Sequence, residues 1–379
     1  KNILKLIHPL FLDDLRAEFG KIRNNRSKLH DFHERLAALK FLDPACGCGN
    51  FLVVAYRELR QLELEVILAL HEKDIASGQS SDPRLLIKCN VDQFYGIEIE
   101  EFPAQIAQVA LWLTDHQMNL RVQEAFGNRF VRLPLEKSAG IVHGNALRID
   151  WNDVVPAKEL SFILGNPPFI GHHLQTEQQK ADMLAAIGDA KAVGVLDFVS
   201  AWYLKAAKAM EEHSFIKAAF VSTNSITQGE QVGILWRAMS RFQKIEICFA
   251  HRTFKWGNEA RGKAAVYCVI IGFSNGTCGE KKTIYEYEEI DGDPHAVTAF
   301  QINPYLLDAP WVALENRRNS LCGMPEMIYG NKPTDDGNFL LTDVEKIDFL
   351  KAEPGAENFI KPFISAHEYL HGEKRWVLW

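Results

Sequence analysis

The spacing of hydrophobic positions changes along this chain of 379 residues, and each change predicts a change of architecture. Through residues 1–40 the apolar residues recur at helical intervals: Leu10, Phe11, Leu15 and Phe19, then Leu29, Phe32, Leu36 and Leu39. Between the two groups Lys21, Arg23, Arg26 and Lys28 make a basic turn. From Phe41 short apolar runs alternate with helical patterns, as in a parallel sheet with crossover helices. Strands are predicted at 40–43, 93–98, 140–143, 160–165, 216–222, 245–250 and 264–272. Helices are predicted at 51–72, 103–114, 198–210 and 230–242. The last strand, Ala264 to Gly272, is apolar almost without a break and must be covered on both faces. Beyond Phe273 the pattern loosens. Asn275-Gly276 and Asp291-Gly292 signal turns, and Thr283 to Ile290 alternates like a strand. The expected division is an N-terminal helical segment at 1–40, a doubly wound α/β domain at 41–275, and a linker with the start of an α+β domain at 276–379.

Composition narrows the class. A hydrophobic fraction of 47% supplies a core, yet no apolar run approaches the ~20 residues that span a bilayer. No secretory signal opens the chain, and the expected setting is cytoplasmic. With Lys at position 1, the chain reads as a piece of a longer polypeptide. Net charge −7 argues against a surface uniformly coated for nucleic acid, but a local basic cleft remains compatible with it. The seven cysteines are scattered, without paired CxxC knuckles, and read as reduced thiols with no metal site.

Candidate chemistry sits at four strand ends. The strand at 40–43 runs into Asp43-Pro44-Ala45-Cys46-Gly47-Cys48-Gly49-Asn50-Phe51, and a helix follows at once. Gly47 and Gly49 allow a tight turn and close approach of a ligand, and the helix start offers free N–H groups. The loop lacks both the P-loop lysine and the full GxGxxG set, and its entrance carboxylate would repel a pyrophosphate. Asp43 instead suits a cationic or amine-bearing ligand. Glu98, ending the second strand, stands where doubly wound folds place an acid for ribose hydroxyls. Asn145, after the third strand, can meet an adenine edge or serve a turn. The fourth strand stops at Asn166-Pro167-Pro168-Phe169, 123 positions after Asp43. Two prolines fix the backbone and remove N–H donors, leaving carbonyls without ladder partners. The Asn166 side-chain oxygen and the Pro167 carbonyl can then orient one amino group, while Phe169 stacks on a planar base.

Asp43–Phe51 resembles motif I, and Asn166–Phe169 motif IV, of S-adenosylmethionine (SAM)-dependent methyltransferases acting on adenine N6 in DNA, and the motif order resembles the gamma class. Gly165–Gly171, His251–Ala265 and Tyr329–Pro333 are similar to the MmeI-like Type IIL restriction–modification enzymes, which fuse nuclease, methyltransferase and recognition domains. The resemblance implies a Rossmann-like class I SAM-dependent methyltransferase sheet of about seven strands. It also implies double-stranded DNA as partner, with the nuclease upstream of Lys1 and most of the recognition domain beyond Trp379.

Carried over by position, Asp43, Pro44, Ala45, Cys46, Gly47, Gly49, Asn50 and Phe51 would hold the amino-acid part of the cofactor. Glu98 would hold its ribose hydroxyls and Asn145 its adenine, although many relatives have Asp where Asn145 stands; Ile99 and Ala146 would be further cofactor contacts. Asn166, Pro167, Pro168 and Phe169 would hold the target base. Phe254 would be a second aromatic beside it, with Trp256 as rival. Arg252, Lys255, Arg261 and Lys263 would meet phosphates. Protein glutamine N5 methylation and a non-catalytic SAM- or DNA-binding module are the alternatives.

Overall fold

The computed structural model describes residues 2–76, 86–126, 137–242, 244–256, 266–276, 278–315, 322–324, 335 and 337–379. They fall into two compact units, Lys1–Asn316 and Arg317–Trp379. The first unit is built on a sheet of order β3-β2-β1-β4-β5-β7-β6-β8-β9. Its strands are β1 (Phe41–Asp43), β2 (Phe94–Glu98), β3 (Gly140–His143), β4 (Phe162–Gly165), β5 (Lys217–Thr223), β6 (Ile245–Trp256), β7 (Val266–Asn275), β8 (Lys282–Glu286) and β9 (His295–Ala299). The run from β3 to β5 is parallel, and β7 enters antiparallel between β5 and β6. This is the expected Rossmann-like arrangement, and all seven predicted strands lie in the one sheet.

The sheet is wider than the sequence pattern indicates. Alternation at Thr283–Ile290 predicts a strand of a later domain, whereas β8 pairs in parallel with β6 through Phe249↔Thr283 to His251↔Tyr285. β9 then pairs with β8. The boundary expected at 275/276 therefore moves to 316/317. The physical reason is the free edge of β6, whose backbone groups β8 satisfies. A second departure concerns the cysteines: Cys248 of β6 is bonded to Cys278, just before β8, where two reduced thiols were expected.

The N-terminal segment is part of the same core. α1 (Asn2–Ile7) runs through a π-helical turn at His8–Leu12, containing Pro9, into α2 (Asp13–Ile22), and α3 (Arg26–Ala38) follows. Phe41, Phe94 and Phe162 stand in register on three adjacent strands, with ring centroids 4.6 Å apart for Phe41–Phe94 and 5.4 Å for Phe41–Phe162. Phe11 closes this ladder from the helical side, 5.1 Å from Phe41 and 5.2 Å from Phe162. Full burial of each such ring contributes about 1.5–3 kcal/mol. Hence residues 2–40 fold onto the sheet they precede.

On this face lie also α4 (Asn50–Ala76) and α5 (Glu101–Phe126). Arg60 of α4, 1% exposed, holds Glu63 (Nε to Oε2 3.0 Å), Asp115 (Nη1 to Oδ1 2.7 Å) and Asn119 (Nη2 to Oδ1 2.9 Å). Glu63 in turn meets His33 of α3 at 3.0 Å. Every charge in this buried chain has a partner, as burial requires. The opposite face carries α6 (Trp151–Val154), α7 (Glu177–Ile187), α8 (Ala190–Val193), α9 (Ser200–Ala209) and α10 (Gly229–Met239).

The second unit is α+β. β10 (Leu340–Thr342) and β11 (Ile360–Phe363) flank β12 (Arg375–Leu378) in an antiparallel sheet, with α11 (Asp343–Ala352) and α12 (Ala366–His371) between strands.

Candidate active site

The carboxyl ends of β1 to β5 share one edge of the sheet, the edge where open α/β sheets bind ligands. After β1 the loop is tied to β2 by Cys46 N–H to Ile97 O (3.1 Å) and turns through Gly49 N–H to Cys46 O (2.8 Å), and α4 begins with Val53 N–H to Gly49 O (2.8 Å). Gly47 and Gly49 have φ of +53° and +81°, conformations that side-chain-bearing residues rarely adopt. A Cβ at Gly49 would stand 2.9 Å from Ala107 Cβ on α5, so the glycine lets the loop lie against that helix. At Gly47 a Cβ would meet nothing within 4 Å, so this turn faces open space. Cys46 is packed against Gly96, and burial raises its thiol pKa, leaving it inert.

Asp43 is 1% exposed and sits beneath the loop. Its Oδ1 accepts from Ala45 N–H at 3.0 Å. Burial pushes its carboxyl up to about 7, against the pull of that N–H bond, and Glu98 adds like charge. Glu98 spans the loop: Oε2 accepts from Gly47 N–H at 2.8 Å and Oε1 from Glu100 N–H at 3.0 Å. Next to it Ile99 is 58% and Phe102 71% exposed, two apolar side chains beside a polar rim. Asn145 is half-buried; Oδ1 accepts from Leu147 N–H (2.9 Å) and Nδ2 donates to Asp182 Oδ2 (2.8 Å).

One helix braces the loops after β1 and β3 from behind. Trp202 of α9 donates its indole N–H to Pro44 O at 3.0 Å. Lys205, one turn on, donates to Ala146 O (2.7 Å) and Ile149 O (2.5 Å), and burial pushes its amine down to about 8.

At the end of β4, Asn166 and Pro168 are exposed, Pro167 is buried, and Phe169 is half-buried between the two core layers. Asp197 fixes the segment that follows, accepting from Ile170 N–H (3.1 Å) and Val199 N–H (3.2 Å). Gln175 donates to Ile170 O and Leu196 O, each at 3.0 Å. The candidate cofactor loop and this segment meet at Asp43 and Gly165. A Cβ on Gly165 would lie 2.5 Å from Asp43 Oδ1, so only glycine lets that carboxylate rest against the residue before Asn166.

Phe254 does not take the place expected of it. Its ring is 0% exposed in the core under the N-terminal helices, with Lys5 Nζ 4.4 Å from its centroid and Tyr287 stacked at 5.2 Å. Register shifts in β6 between Ile247 and Phe249 and between His251 and Phe254 turn it inward. A base cannot reach it without dismantling that packing. Trp256, two residues on, is half-buried against the same core, its ring 6.5 Å from that of Phe51 at the start of α4 and 6.0 Å from that of Phe254. Of the two rival aromatics it is the less buried.

Of the four basic residues, Arg252 is paired with Glu286 at 3.0 Å. Lys255 is exposed and borders a cavity of about 300 Å³ that Asp291 and Asp293 also line. Arg261 and Lys263 lie outside the described residues, as does Tyr329–Pro333. A larger cavity, about 820 Å³, opens at the amino ends of β6 and β8 between Trp236, Glu246, Lys282 and Trp311, away from these loops.

Sequence reasoning assigned no role to Gly165, Gln175, Asp182, Asp197, Trp202 or Lys205. A signal existed for Gly165, because a glycine closing an apolar strand marks close approach of another group. Thr176 to Gln179 spells a capping box that announces α7 and hence Asp182.

A family model described as the MmeI DNA-methyltransferase domain matches residues 19–286, and one described as the MmeI target recognition domain matches 308–379. DNA methyltransferase A of Bacillus subtilis (strain 168) is 38% identical over 382 residues, covering 100% of this chain and 42% of that protein. The structure of the Type IIL restriction–modification enzyme MmeI in complex with DNA is 56% identical, with a TM-score of 0.90 over 100% of this chain and 50% of that one. The chain thus spans about half the length of these relatives or less.

Proposed function

Since the chain belongs to the MmeI DNA-methyltransferase family, we propose that it binds SAM over the β1–β3 strand ends and methylates N6 of an adenine flipped out of duplex DNA. The observation that carries this reading is the contact of Asp43 with Gly165, which joins the candidate cofactor loop to the candidate base site. The donor set fits the cofactor. Two positive-φ glycines make an open turn, Glu98 offers a carboxylate to a ribose diol, Ile99 and Phe102 offer apolar flanks to a purine, and no phosphate-binding lysine is present in the loop. When bound, the cofactor supplies an electrophilic sulfonium methyl group.

The protein's part is alignment. Flipping a base costs a few kcal/mol, and stacking on Phe169 and Trp256 returns about 1–3 kcal/mol for each ring engaged. Asn166 and the Pro167 carbonyl accept from the adenine amino group and aim its lone pair, which turns an encounter into a near-attack arrangement. Asp43, neutral or charged near pH 7, meets the ammonium end of the cofactor and is ionised by it. Lys255, exposed on β6, is left for a phosphate, with Arg261 and Lys263 in the same stretch of sequence; the nuclease and the remainder of the recognition domain are expected in a longer polypeptide, a DNA-bound cytoplasmic enzyme of the restriction–modification type. Among the described residues no helix is long and apolar enough to cross a membrane. DNA is favoured over a protein glutamine substrate by the target-recognition match at 308–379.

The test is transfer of labelled methyl from SAM to DNA by the polypeptide carrying this chain. Asn166→Ala is expected to lower the rate at least about 100-fold, a loss of roughly 2.7 kcal/mol, with cofactor binding unchanged. Equal transfer by the variant, or label that enters protein and not DNA, would overturn the reading.

A further inference from the structure

Asn145 is a neutral amide whose two ends differ in chemistry, so its usefulness to a ligand depends on which atom stands at which end. Two contacts fix that assignment. Leu147 N–H is a donor and requires the oxygen; the Asp182 carboxylate is an acceptor and requires the nitrogen. Asp182 is itself 5% exposed and is held by Arg148 Nε at 2.7 Å and Gln178 Nε2 at 3.2 Å. It belongs to α7, which follows the Asn166–Phe169 loop and lies outside the loop that carries Asn145.

We propose that Asp182 is a positioning residue for the purine end of the cofactor: it locks the Asn145 amide with its oxygen toward the crevice, where it accepts from an exocyclic amine. A purine amine is a donor, and the remaining lone pair of Asn145 Oδ1 is the acceptor that suits it. A purine with a carbonyl at that position offers only an acceptor and meets an oxygen held immobile. Asp182 thereby makes the site selective for 6-amino over 6-oxo purines without touching the ligand. This inference rests on the SAM-binding reading above.

Calorimetric titration of the whole chain with S-adenosylhomocysteine and with its 6-oxo analogue, S-inosylhomocysteine, tests it. The wild type is expected to prefer the adenosyl compound. Asp182→Ala, which frees the amide nitrogen, is expected to reduce that preference about tenfold, the scale of one lost charge-assisted hydrogen bond. Asp182→Asn, whose carbonyl can still accept from Asn145, is expected to retain most of it. Asp182→Leu serves if the alanine variant fails to fold. A merely structural role would weaken both ligands in parallel and leave their ratio at the wild-type value, and that result would overturn the proposal. Absence of adenosyl binding by the wild type would instead overturn the cofactor reading on which it stands.

Discussion

Replacing Gly165 by alanine tests the joint between the two halves of the site. The added Cβ would lie 2.5 Å from Asp43 Oδ1, 3.1 Å from Cγ and 3.5 Å from Oδ2, so the carboxylate must move as a whole. Asp43 has no slack to give, being 1% exposed and tied to Ala45 N–H at 3.0 Å. Overpacking a tight site costs about 1–3 kcal/mol, and losing a hydrogen bond to a charged acceptor about 1.5–3 kcal/mol. The two overlap, because one displacement relieves the clash by breaking the bond, so a loss of about 2–4 kcal/mol is expected. Chemical denaturation of Gly165→Ala, Asp43→Ala and the double variant measures it. In the Asp43→Ala background the clash partner is gone, and Gly165→Ala should cost less than about 1 kcal/mol. Cofactor binding should fall in both single variants. Strictly additive costs would refute the claim that Gly165 exists to accommodate Asp43.

Other expectations follow from burial and titration. Phe254→Ala should cost about 3–5 kcal/mol of stability in denaturation experiments. Trp256→Ala, at a half-buried ring, should cost less stability than Phe254→Ala and reduce the fluorescence increase of 2-aminopurine at the target base, which reports flipping; an undiminished fluorescence increase in Trp256→Ala would remove Trp256 as the stacking residue. The Asp43 carboxyl titrates near 7 in the folded protein, above its ordinary 3.8, so the folded state holds a proton that the unfolded state has released between those values. Stability should therefore fall from about pH 4 to pH 7 relative to Asp43→Asn, by at most about 4 kcal/mol. Parallel pH profiles for the two proteins would show that Asp43 titrates normally.

Much of this architecture is visible in residue order. Strands such as Phe162–Gly165 and Val266–Asn275 are apolar runs bounded by turn residues, and burial on both faces leaves them no other reading. The cofactor loop and Asn166–Phe169 are legible because glycine and proline restrict backbone geometry in ways that spacing reveals. The rest depends on partners distant in sequence. Phe254 reads as a loop aromatic because two irregularities in β6 break the alternation that would have exposed its inward face. β8 reads as the start of another domain because a strand's partner cannot be inferred from its own alternation. The Cys248–Cys278 bond joins positions 30 apart with nothing in the spacing to pair them. Asp182 and Lys205 escape notice for the same reason: each is an ordinary helical charge until the fold brings it to the loop it braces.

The exposed Asn166 and the ring of Phe169 are proposed to present an adenine amine to a cofactor held over Asp43 and Glu98. Nucleoside mass spectrometry of DNA incubated with SAM and the polypeptide carrying this chain decides whether they do. N6-methyldeoxyadenosine is expected as the sole modified nucleoside, lost on Asn166→Ala. Methyl groups on cytosine, or N6-methyldeoxyadenosine at an undiminished level in the variant, would refute that role.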